Sequence, residues 1–298
     1  RDSEIYAVLR CVHENHGIVG VHCENGDLVN ALVQKELSEG HYSPAAHPLS
    51  RPDYVEAEAV ARFCAIGRAA NAPVHVVHLS TAAGLQEARR ARMQGQTVYL
   101  EGCPQYFMLD ESRYLAAGFE GAKYVCSPPL RAQADVNALW QALIAGEINS
   151  ISTDHCSFNF KGQKTLGEED FSKIPNGMPG IEHRAAIMLS EGKKRGVPYT
   201  ELAKLLSTNA ARLFGLYHRK GSLAIGKDAD IVIYNPNAPM TIRAADMMQN
   251  VDYTPFEGLC VSGSIQAVFL ASTLCCENKK LINDKRGRFI PRRESEYL

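Results

Sequence analysis

One recurrence constrains this chain more than any other feature. Within the first 156 residues, helical stretches give way four times to short apolar runs, and three of these runs stop at a residue able to bind a metal. RDSEIYAVLRCVHENHG, helical from about Ser3 to Asn15, leads into GIVGVH, which ends at His22. DYVEAEAVARFCAIGRAA, helical over 53 to 70, is followed by APVHVVHLS, whose apolar run stops at His78. TAAGLQEARRARMQG reads as a helix capped by Ser80 or Thr81, and TVYLEGCPQYF as the third strand. DVNALWQALIAGE is helical again, and INSISTDHC is a fourth strand ending at Asp154. Helices alternating with short apolar strands predict βα units around a parallel sheet.

In such a sheet the carboxyl ends of the strands collect catalytic groups, because the loops there vary while the strands hold them still. A single histidine beside an apolar run is more often a packing residue, and a strand-end aspartate often only caps the next helix. Three such residues at equivalent places favour a metal site built from His22, His78 and Asp154. Imidazole and carboxylate donors without a thiolate suit zinc, or manganese or cobalt in its place. A cation there lowers the pKa of bound water to about 7 and suits hydrolysis of an unreactive amide, with Asp154 as the group that moves the proton. His155 alternates to the opposite face and reads as structural or as support for a ligand.

Composition narrows the classes. A net charge of −1, spread along the chain, gives no electrostatic reason for a nucleic-acid or membrane partner, and no apolar run is long enough to span a bilayer. The nine cysteines form no C-x-x-C pair, so a reducing cytoplasm is expected. The first residues read as a helix of a unit already under way, so the chain is expected to begin inside a domain. After Leu216 Gly-rich turns separate short β-rich runs, as in GSLAIGKDADIVIYNP and GLCVSGSIQAVFLAS, and predict a small β region. YVCSPPLR and PNGMPG are stiffened by proline around Ser127 and Asn176 and are, by pattern alone, ordinary turns. The stretch 157 to 174 has mixed charge and few apolar residues and reads as a loop near a pocket mouth, with the length of a lid.

VHCENGD, VHLSTAAG, EGCPQYF, YVCSPPLR, STDHC and PNGMPGIEHR, in this order, resemble the dihydropyrimidinase and hydantoinase branch of the cyclic amidohydrolases, and GLYHRKGSLAIGKDADIVIYNP resembles the stretch where that family leaves its barrel for a β-sandwich. The resemblance implies an α/β fold: the C-terminal half of a TIM-like (β/α)8 amidohydrolase barrel over residues 1–216, part of a small β-sandwich over 217–285 and a tail over 286–298. It implies hydrolysis of dihydropyrimidines or hydantoins to N-carbamoyl amino acids by two divalent metal ions, zinc first. His22 and His78 would bind the more exposed ion, and Asp154 the buried one as general acid and base. The backbone at Ser127 and Asn176 would grip the cyclic ureide. The family's H-x-H pair and carbamylated lysine have no match here and are expected upstream of Arg1. The resemblance also suggests a homotetramer or homodimer, with the tail as an intersubunit arm. The alternatives are a non-catalytic tetrameric scaffold of the same fold and an allantoinase-like ureide hydrolase.

Overall fold

The computed structural model describes residues 1–284 and 287–297. The expected boundary between β region and tail, at Lys285 and Arg286, lies outside the described residues. The chain divides into two compact units. The first comprises Arg1–His13, Val19–Ile181 and Gln249–Pro255; the second comprises Glu14–Ile18, Glu182–Met248 and Phe256–Leu298. The change of sequence style at 216/217 therefore falls inside the second unit.

The first unit is built on a parallel sheet whose strands follow one another in chain order: β1 (Gly20–Val21), β2 (Val74–Val76), β3 (Val98–Gly102) and β4 (Ser150–Ile151). Gly20 pairs with His75, Val76 with Leu100, and Glu101 with Ser150, so the strand ends stay level. Val74, Val76, Leu79 and Leu100 are fully buried, as strands covered on both faces require. Helices connect these strands. Asp53–Ala70 begins after Pro52 and ends at Asn71, whose left-handed backbone (φ 51°) closes the last turn. Ala82–Met93 is capped by Thr81, whose side chain accepts the Gly84 N–H at 2.9 Å. Gln133–Ile144 precedes β4.

One local expectation needs correcting, and one helix lies outside the expectations. The third strand stops at Gly102, and Pro104–Met108 is a short helix, because a proline at the first helical position has no N–H to lose there and cannot donate to a sheet ladder. A further helix, Gly26–Ser38, follows β1, with Asn25 as its cap accepting from Leu28 N–H at 3.1 Å.

The second unit opens with the helix Arg184–Lys194, then Tyr199–Ala203, which runs through one π-helical turn (Lys204–Thr208) into Asn209–Leu213. The remainder is antiparallel. β5 (Ile231–Asn235), β8 (Ser264–Leu270), β9 (Thr273–Glu277) and β10 (Lys280–Leu281) form one sheet, and β6 (Met240–Thr241) pairs with β7 (Cys260–Val261). The described tail lies back on this unit: Arg293 N–H donates to Gly215 O at 2.8 Å and Tyr297 Oη to Gly17 O at 3.0 Å. Among the described residues no helix is long and apolar enough to cross a membrane.

Candidate metal centre

His22 immediately follows β1, and His78 stands two residues beyond β2, the neighbouring parallel strand. Level strand ends bring the two rings together: His22 Nδ1 lies 3.1 Å from His78 Nε2, with the rings edge to face at a 4.8 Å centroid distance. The other nitrogen of His22, Nε2, is 3.0 Å from Glu24 Oε2. A carboxylate only accepts, so Nε2 carries the proton and the Nδ1 lone pair is turned towards His78. Glu24 is itself fixed by Arg51, whose Nη1 donates to the same oxygen at 2.5 Å. Burial works to raise the Glu24 carboxyl pKa, but the His22 hydrogen bond and the Arg51 charge outweigh it and hold the carboxyl below its usual range.

His78 is buried, with its Nδ1 unpartnered among the described residues. Burial, then the neighbouring His22, pushes its pKa down to about 4, so the ring is neutral at pH 7 and offers a lone pair. The turn beyond it is held by Glu56, a fully buried carboxylate from the helix Asp53–Ala70. Glu56 accepts from Ser80 N–H at 2.9 Å, Ser80 Oγ at 3.0 Å, Thr81 N–H at 2.8 Å and the Thr81 hydroxyl.

Asp154 stands three residues past β4 with a left-handed backbone, φ 47°. Its carboxyl is pushed up by burial, and neighbouring His22 works against that rise. The structure does not bring it into the same contact as the histidine pair. Among the described residues the trio of metal-binding types whose ligand atoms all lie within 4.8 Å is Glu36, Glu39 and His41. There Lys35 Nζ already occupies the cation's place, bonded to Glu36 at 3.1 Å and Glu39 at 3.0 Å. That cluster is an ion-pair network on a helix end.

The donor set at His22 and His78 fits a cation. Two nitrogens bound at about 2.05 Å around a tetrahedral ion lie about 3.3 Å apart, close to the observed separation. His155 faces elsewhere: its Nδ1 accepts from Gly180 N–H at 3.1 Å, and its backbone bridges to Met178.

The two proline-stiffened loops are joined. Gly177 N–H donates to Val125 O at 3.0 Å. Gly177 has φ 134°, and a Cβ there would lie 2.3 Å from Cys156 Sγ, so only glycine allows this approach. Around Ser127 the carbonyls are taken: Cys126 O accepts from His47 Nε2 at 2.7 Å, and Pro128 O from Tyr106 Oη at 2.7 Å. The N–H and C=O of Ser127 and of Asn176 take part in no hydrogen bond among the described residues. Both loops thus present open backbone edges on otherwise bonded frames.

Glu24, Arg51 and Glu56 were not singled out from sequence. For Glu24 a signal exists: His22-x-Glu24 spacing puts both side chains on one face of extended backbone. The stretch 157 to 174 is not a free lid. Lys164 and Phe171 are fully buried, and Asp252 accepts from Phe160 N–H at 2.6 Å and Lys161 N–H at 3.0 Å.

Residues 1–275 match the amidohydrolase family. The D-hydantoinase of Geobacillus stearothermophilus is 42% identical over 293 residues, covering 98% of this chain and 62% of that protein. The crystal structure of dihydropyrimidinase from Brevibacillus agri superposes with a TM-score of 0.93 at 41% identity, over 95% of this chain and 61% of that one. The D-hydantoinase structure from Bacillus sp. AR9 gives 0.97 at 41% identity, over 100% of this chain and 65% of that one. This chain spans about three-fifths of the length of the curated relatives it matches.

Proposed function

This chain belongs to the amidohydrolase family, and on that premise we propose that it carries half of the catalytic site of a cyclic amidohydrolase, opening hydantoins or dihydropyrimidines to N-carbamoyl amino acids. The observation that carries the reading is the facing pair His22 Nδ1 and His78 Nε2, 3.1 Å apart at the ends of neighbouring parallel strands. On this reading β1 to β4 and their helices are consecutive units of a TIM-like barrel, and β5 to β10 belong to a small β-sandwich. The domains on this reading are 1–216, 217–285 and 286–298, with a homotetramer or homodimer as the assembly. The nine cysteines are all free, which supports a reducing, cytoplasmic setting.

A divalent cation held by His22 and His78, zinc by its donor set, and a second one shared with Asp154, would polarise the ring carbonyl and supply hydroxide near pH 7. Glu24 keeps the His22 ring turned so that Nδ1 faces inward. Ser127 and Asn176 offer backbone N–H and C=O groups to the ureide edge, a grip indifferent to the ring substituent. A carboxylate oxygen of Asp154 takes the proton from the attacking oxygen and returns it to the leaving nitrogen. The presence of all three residues, with the histidines paired, favours this over a metal-free scaffold.

The test is ring opening of dihydrouracil and hydantoin, followed by loss of absorbance and by mass spectrometry of the N-carbamoyl product, in metal-loaded and chelated protein that also carries the H-x-H pair and lysine expected upstream of Arg1. Zinc-restored turnover after chelation is the expected result. Failure of the metal-loaded protein to open either ring, or turnover indifferent to chelator, would sink the reading.

A further inference from the structure

Lys164 is fully buried, yet no acidic group pairs with it among the described residues. Its Nζ donates to Val125 O at 2.7 Å and to Pro175 O at 2.6 Å, and it lies 5.9 Å from the centre of the Phe158 ring. An ammonium has three donors on a flexible stem, so one group reaches two carbonyls from different loops and an aromatic face at once. Burying a charge without a counter-ion costs several kcal/mol, and burial, opposed by Cys126 and Cys156, pushes this amine down to about 8. An apolar side chain of similar length would fill the space at far lower cost, but it could not hold the two carbonyls.

Those carbonyls flank the open backbone edges. Val125 lies two residues before Ser127, and Pro175 immediately precedes Asn176. Val125 O also accepts the Gly177 N–H, so three bonds meet at this seam. The geometry points to Lys164 as a positioning residue for substrate: by tying Val125 O to Pro175 O, it sets the separation of the Ser127 and Asn176 backbone groups that hold the cyclic amide. This rests on the cyclic-amidohydrolase reading. A backbone grip of this kind acts on the ring in the ground state and the transition state alike. Its loosening therefore raises KM and leaves kcat nearly unchanged.

The experiment compares Lys164→Met, Lys164→Gln and, as control, Asp252→Ala in metal-loaded protein that also carries the half of the site expected upstream of Arg1. Asp252→Ala frees the same loop at Phe160 and Lys161 without touching the two carbonyls. For Lys164→Met we expect KM for dihydrouracil and hydantoin to rise about tenfold, by the same factor for both, with kcat within about threefold. Hydrogen exchange at the Gly177 amide should quicken about tenfold. Lys164→Gln, which keeps donors on a shorter arm, should fall between parent and methionine variant; it carries the same readouts if the methionine variant does not fold. Asp252→Ala should leave KM unchanged. An equal KM rise in Asp252→Ala, a loss confined to kcat, or Gly177 exchange unchanged in the Lys164 variants would overturn the assignment. The exchange arm needs no turnover, so an inactive parent refutes the functional reading without deciding the clamp.

Discussion

The parallel sheet of the first unit and the antiparallel sheet of the second use left-handed backbone for different ends. In the antiparallel sheet Leu270 pairs with Thr273 and Glu277 with Lys280, leaving two-residue turns at Ala271–Ser272 (φ 46° and 67°) and Asn278–Lys279 (φ 48° and 62°). Positive φ at both central residues defines the hairpin turn whose twist matches right-twisted strands, so topology alone requires it. In the first unit His78 and Asp154 have φ 40° and 47° where no hairpin exists and no helix ends. Left-handed backbone at residues other than glycine costs about 1–3 kcal/mol and persists where surrounding structure over-determines it. The Glu56 bonds to Ser80 and Thr81 supply that constraint just after His78. On the proposed reading, strain at the strand ends serves the direction of two side chains, whereas strain in the hairpins serves the chain's path.

The sharpest way to break this contrast is Asp154→Asn. Asparagine adopts the left-handed region readily and matches aspartate in size, so the backbone is kept and only proton transfer is removed. In metal-loaded protein that also carries the half of the site expected upstream, we expect kcat to fall at least about a thousandfold with most of the metal retained, read by steady-state kinetics and metal analysis. Near-normal ring opening would show that Asp154 owes its backbone to something other than catalysis.

Packing separates the two sheets next. Leu100 in β3 is 0% exposed, whereas Val232 in β5 is 56% exposed. Leu100→Ala should cost about 3 kcal/mol through lost contacts and a cavity, and Val232→Ala under about 1 kcal/mol. Denaturant midpoints of both variants check this. Similar losses would mean that the antiparallel sheet shares a comparable core.

Much of the first unit was legible because its signals are local. The helix Asp53–Ala70 has the predicted bounds, Thr81 is one of the two expected caps, and His22 and His78 meet as their equivalent places at the strand ends suggest. What failed was either competing local chemistry or long-range closure. Pro104 turned an aromatic, β-favouring stretch into a helix. Gly26–Ser38 carries only a weak local signal, the cap Asn25 at its start. Lys164 looked like loop charge, because its burial depends on carbonyls 39 and 11 residues away. Glu56 reads as a helix-surface acid until the folded sheet brings Ser80 and Thr81 to it. No window of sequence contains those partners.

The smallest effect gives the finest test of what left-handed backbone is for. Ser272 is exposed at the second central position of its hairpin turn, where glycine carries no Cβ penalty. Its backbone N–H donates to Ala229 O at 3.0 Å, a bond glycine retains. Ser272→Gly removes the steric cost of φ 67° but frees the unfolded chain, so the net gain is about 0.5–1 kcal/mol, or about 2 °C in Tm, with kcat unchanged. Asp154→Gly relieves strain of the same kind and should also leave stability equal or higher, while turnover is lost. If both substitutions stabilise but only the second silences the enzyme, the hairpin strain is a cost of topology and the strand-end strain a cost of function. A destabilising Asp154→Gly would instead mean that the carboxylate secures its own loop, and that the conformation at Asp154 is structural in the way the hairpin's is.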